Sequence, residues 1–149
     1  MNELNEVMKI ADIHLSRINS AIKHINHLFP INKEIVQSLP ENDMVWIDLL
    51  INRFGKLQDL IGSKIIDMFL DLKAENIDQL TMLDKLHKLE KLNIIKDVEV
   101  WKEMRRTRNH IAHEYPDQPE IMAQYLNRIF DLTPDLLEIL DNIRKRIDN

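Results

Sequence analysis

Apolar residues recur along most of this chain at alternating steps of four and three, the signature of helices that each bury one stripe. The first stripe is Leu4, Met8, Ala11, Leu15, Ile18, Ile22, Ile25 and Phe29. It predicts a helix from about Leu4 to Phe29, closed by Pro30. Residues 30–42, bracketed by Pro30 and Pro40, read as a connector with room for a helical turn. Asp43 is placed to cap a second helix that reaches about Lys73. That helix holds both glycines of the chain, Gly55 and Gly62, seven residues apart and therefore on one stripe, with Asp59 between them. Glycine inside a helix costs ~1 kcal/mol against alanine, so the stripe predicts a close approach by another helix.

A third helix is expected over about Thr81 to Leu92, with Met82, Leu86 and Leu89 facing inward. Asp97 caps a fourth, which runs to Tyr115 and is stopped by Pro116. Pro119 opens the last helical region, whose stripe is Met122, Leu126, Ile129, Thr133, Leu136, Leu140, Ile143 and Ile147. Pro134 falls within it and predicts either a kink or a second segment capped by Thr133. No stretch reads as a hairpin and no repeat of 20–50 residues is visible. The expected fold class is all-α, an up-and-down bundle of four to five helices forming one domain over residues 1–149.

Composition agrees, with Gly 2, Pro 5 and an apolar content dominated by Leu and Ile. The absence of cysteine excludes a disulfide framework and a thiolate metal site. Charges throughout the first thirty residues (Glu3, Glu6, Lys9, Asp12, Arg17, Lys23) argue against a signal peptide, and no apolar run approaches the ~20 residues of a membrane span. A soluble cytoplasmic protein is expected. Its formal net charge of −5 speaks against general nucleic-acid binding. Charge is uneven, however. Residues 101–113 hold four cations (Lys102, Arg105, Arg106, Arg108) against one acid, Glu103, whereas residues 114–141 hold seven acids against one cation, Arg128. Such a basic island is usually a solvated helix face, but it can serve a local anion site.

The fourth helix breaks its own pattern. In DVEVWKEMRRTRNHIAHEY, residues 97–115, one apolar arc collects Val98, Val100, Trp101, Met104, Ile111, Ala112 and Tyr115. Arg108 falls in the middle of it. A guanidinium cannot shed its charge, so either a carboxylate meets it in the core or this face is a polar, functional interface. Asp59 is the competing partner for a buried pair. Arginine followed five residues later by histidine is a weak pattern by itself, and Arg105 with His110 repeats it one turn earlier. The Arg108 register is distinguished by the polar Asn109 beside it and by Tyr115 two residues after His113.

On RNHIAHEY the sequence resembles the HEPN superfamily, and within it the HepT-like toxins of HEPN/MNT toxin–antitoxin modules, whose signature is arginine, a polar residue, three others, histidine, any residue, tyrosine. The stretch RFGKLQDLIGSKI, residues 53–65, resembles their second helix more loosely. The resemblance implies a metal-independent endoribonuclease without cofactor, built at a homodimer interface, with Arg108, Asn109 and His113 as catalytic residues. It implies a cognate nucleotidyltransferase antitoxin that adenylylates Tyr115. Arg105 and Lys102 would add contacts to RNA phosphates. The residue chemistry is consistent: histidine exchanges protons near neutrality and arginine offers a fixed fork to phosphoryl oxygens. On an ideal helix Asn109 and His113 are neighbours, while Arg108 and His113 lie about 140° apart and need a second copy to converge.

Plainer readings stand beside these. His113 near a helix C-terminus interacts well with the dipole in any protein, and Tyr115 packs on the arc. Trp46 and Trp101 read as core or interface anchors. His24 and His27 share a face without a third ligand, so no metal site is expected. Two other function classes remain open: a non-catalytic HEPN partner that binds the nucleotidyltransferase, and a purely structural helical dimer.

Overall fold

The computed structural model describes residues 2–113 and 117–148. Among them the protein is all-helical, without a strand. Helix α1 spans Asn2–Ile25 and is followed by a 3₁₀ turn at Asn26–Leu28. The short α2 (Lys33–Gln37) turns within the connector, its first turn held by the Asn32 side chain accepting from the Ile35 N–H. Helices α3 (Glu41–Leu60) and α4 (Ile66–Leu72) form one rod interrupted by a π turn at Ile61–Ile65. Helices α5 (Met82–Lys91), α6 (Val98–Ile111) and α7 (Pro119–Ile147) complete the bundle. Among the described residues, no helix is long and apolar enough to cross a membrane.

Side-chain pairs give the relative directions. His14 meets Arg53 and His24 stacks on Trp46, so α1 and α3 run antiparallel. Gly55 lies against Arg108 and Gly62 against Trp101, so α3 and α6 are antiparallel. Glu103 pairs with Arg128 and His110 stacks on Tyr125, so α6 and α7 are antiparallel. One continuous core results, with Ile18, Phe54, Phe69, Leu89, Trp101, Met104 and Leu136 among its buried members.

Local chemistry sets most of the boundaries. Asp97 accepts from the Val100 N–H, as the sequence predicts, and Thr81 and Asp84 form a reciprocal capping box that opens α5. Three expectations change. Helix α3 begins at Glu41 with Pro40 in the capping position, so Asp43 sits in the first turn rather than capping it. Pro134 neither ends nor restarts α7, which is one helix. The exposed Pro134 lies on the solvent side, and the buried Thr133 hydroxyl donates to the Ile129 carbonyl at 2.7 Å instead of capping a new segment. Helix α6 ends at Ile111, short of Tyr115, which lies with Glu114 and Pro116 outside the described residues.

His14 is buried on α1 with Nδ1 3.1 Å from Nη1 of Arg53. The guanidinium can only donate, so Nδ1 accepts and the ring is neutral. Burial, then the charges of Arg53 and Lys56, hold its pKa below the ordinary value. The unfolded chain takes up this proton near pH ~6.5 while the folded one resists, so stability falls as pH drops below that value. His14→Gln is expected to flatten the melting temperature against pH between about 7 and 5. An unchanged slope in thermal melts would show that other groups set it.

Candidate functional site

The arc on α6 is buried as its periodicity predicts at Val98, Trp101, Met104 and Ile111, with Thr107 joining them. Val100 is only half-buried and Ala112 is exposed. The arc packs within the same chain, against α3, α5 and α7. It therefore does not require a second subunit to cover it.

Arg108 leaves the arc without being buried in it. Gly55 on α3 has no side chain to fill the space beneath, and the arginine stem lies across the bare helix; a Cβ at Gly55 would come within 3.1 Å of Nε. The guanidinium then reaches Asp59 end-on, Nη1 to Oδ1 at 2.9 Å and Nη2 to Oδ2 at 2.7 Å. The carboxylate partner weighed against the functional reading is present, but it is not a core pair. Arg108 keeps 34% and Asp59 57% of their side-chain surface in solvent. Gly62 makes the equivalent allowance for Trp101, whose ring would lie 3.2 Å from an added Cβ. The two glycines thus serve two neighbouring side chains of α6, which is the close approach their spacing predicts.

Asn109 and His113 are both exposed. Because α6 ends at Ile111, the His113 N–H bonds to the His110 carbonyl at 3.2 Å, and His113 sits beyond the helical register. No hydrogen bond or ion pair joins Arg108, Asn109 and His113 to one another among the described residues. The expected position of Tyr115 lies outside those residues.

The rest of the basic island divides. Lys102 pairs with Glu99 at 3.5 Å, whereas Arg105 and Arg106 are exposed and form no ion pair among the described residues. His110, the alternative histidine, stacks on Tyr125 of α7 with ring centroids 5.0 Å apart. It faces α7, while Arg108 faces α3.

A cleft of about 680 Å³ opens where α2, α3 and the end of α6 meet the start of α7. Val36, Ile51, Ile111 and Met122 give it apolar walls, and Asn52 and Asp117 add polar ones. Its lining residue Ala112 directly precedes His113. Nothing in the periodicity of one helix announces this cleft, because four elements build it.

Gln58 is a buried polar residue that the apolar periodicity does not single out. It is buried on the stripe of Gly55 and Gly62, three residues after one and four before the other. Among the described residues neither end of its amide has a hydrogen-bond partner, nor does the buried Nε1 of Trp101. Polar residues at i+3 and i−4 of a glycine stripe were the available signal.

No family model matches the chain, and no curated protein or solved structure matches it.

Proposed function

We propose that this protein is a HEPN-type, metal-independent endoribonuclease, the toxin of a two-gene module with a nucleotidyltransferase antitoxin. The observation that supports the reading best is the placement of Arg108. It sits in an apolar arc, on a glycine seat, with its guanidinium held at the solvent edge near the end of a helix that leads to exposed Asn109 and His113. The adjacent cleft has the volume of a site for a small ligand or a nucleotide.

In this reading the RNA 2′-hydroxyl attacks its own phosphorus, the P–O2′ bond forms and the P–O5′ bond breaks. His113 takes the hydroxyl proton, or returns one to the departing O5′. Arg108 neutralises charge growing on the non-bridging oxygens. Asn109 orients phosphate or histidine, and Arg105 and Lys102 follow the backbone on either side. One chain supplies a single Arg108 and a single His113, which no hydrogen bond or ion pair joins among the described residues. A two-fold homodimer supplies two of each, so the reading includes one. Its apolar contact has candidates in Ile10, Ile13, Met44 and Val45, all exposed. Sedimentation at micromolar concentration is expected to give the mass of a dimer, and a monomer would remove the shared site.

The Arg108–Asp59 pair is the observation that favours the alternative, a non-catalytic partner of a nucleotidyltransferase. RNA cleavage by the purified chain, insensitive to EDTA and lost in Arg108→Ala, separates the two. A neighbouring gene for a small protein with a G-S-x10-D-x-D motif is expected on either reading and not for a purely structural dimer.

A further inference from the structure

We propose that Asp59 is a built-in stand-in for phosphate, occupying the fork of Arg108 until a phosphate-bearing ligand displaces it. This rests on the reading of Arg108 as an anion-binding residue. A guanidinium offers two edges for bidentate bonding, Nη1 with Nη2 and Nε with Nη2. The first is filled by the carboxylate at 2.9 and 2.7 Å. The second lies against α3, where a Cβ on Gly55 would be 3.1 Å from Nε and 3.6 Å from Nη2. The end-on edge is therefore closed to a two-oxygen ligand in this state.

The lock is weak. Both partners are substantially exposed, and an exposed pair changes an equilibrium by at most about fivefold. Opening it disturbs no core residue. The released carboxylate has a place to go, because the exposed Lys56 precedes Asp59 by three residues on the same helix. The incoming anion gains as well, since Arg105 lies three residues before Arg108 on α6 and is exposed without an ion pair among the described residues. A carboxylate brings one negative charge to the fork. A phosphodiester in a chain brings the same charge with neighbours of the same sign, which the basic island meets and Asp59 cannot.

The test is Asp59→Asn, which keeps the shape and removes the charge, with Asp59→Ser as a second variant at this exposed position. Two probes are titrated against the full chain: inorganic pyrophosphate, and a labelled single-stranded RNA in a His113→Ala background that prevents turnover. Both are expected to bind about two- to fivefold more tightly to the Asp59 variants. For RNA the plot of log affinity against log salt should steepen by about 0.7, since one more cation is left to neutralise phosphate. The gain should vanish when Arg108→Ala is added, as a double-mutant cycle requires. Unchanged or weaker binding, an equal gain without Arg108, or no binding of either probe overturns the proposal. If the wild-type chain cleaves no RNA but Asp59→Asn still tightens pyrophosphate through Arg108, the nuclease reading falls and the latch stands.

Discussion

His113→Ala is expected to lower RNA cleavage by about 10²–10⁴-fold, the usual range for losing a positioned proton-transfer group. Arg108→Ala should lower it by about 10²–10³-fold, the range for losing one donor to a developing oxyanion. Products should end in 2′,3′-cyclic phosphate, and EDTA should leave the rate unchanged. His110→Ala and Arg105→Ala are the controls, because His110 is stacked on Tyr125 and Arg105 is an exposed contact at most. Equal losses from the controls, or cleavage that requires an added metal, would sink the assignment.

Stability adds a second measurement on the same variant. A fully buried Arg108–Asp59 pair would make Arg108→Ala lose ~3–5 kcal/mol, and a fork facing only other cations would make it gain. The exposures of 34% and 57% place the pair between those extremes. Its loss is expected to be at most about 1 kcal/mol. Thermal melts should therefore show Arg108→Ala folded and slightly less stable than the wild type. Unfolding of the variant would instead make Arg108 a structural residue.

The largest stability effect is expected two turns away on the same face of α6, at Trp101. Its ring is 2% exposed and lies on the bare backbone of Gly62 within the α3–α6 seam. Trp101→Ala removes the biggest side chain from the core and leaves a cavity that helices on either side cannot close. Losses of about 3–5 kcal/mol are typical for such a truncation, which is roughly 10 °C in melting temperature for a chain of this length. Gly62→Leu approaches the same seam from the other side. Even a Cβ there would meet the ring at 3.2 Å, so a larger side chain must drive α6 off α3. Calorimetry that found both variants near wild type would mean that the seam is far looser than its burial indicates.

Most of the helices are visible in the sequence because each needs only local information. The caps at Thr81 and Asp97 are single side chains bonding to backbone three residues on. The stripes of α1 and α7 come from a period that any 3.6-residue helix imposes. Misplaced features are those where two local signals compete. Asp43 is a good capping residue, but Pro40 sets the start of α3 earlier, its carbonyl accepting from the Met44 N–H. Pro134 looks like a break, because its missing N–H leaves the Phe130 carbonyl without its helical donor, yet it faces solvent and α7 runs through it as one helix.

By itself, then, the chain determined the all-helical class, five of the helix positions, the glycine stripe and the segment that carries Arg108, Asn109 and His113. Those follow from periodicity and from the fixed charge of arginine, which do not depend on neighbours in space. Tertiary structure decided what the stripe is for and what Arg108 does at rest. Only the packing of α6 across α3 shows that Gly55 seats the arginine, that Gly62 seats Trp101, and that Asp59 meets the fork at the rim rather than in the core. The last regular turn of α6 likewise ends at Ile111, so His113 follows it in a tighter turn, its N–H bonding to the His110 carbonyl. Sequence spacing gives the angle between two residues on an ideal helix. Where that helix stops, and what lies opposite, is settled by side chains from elsewhere in the chain.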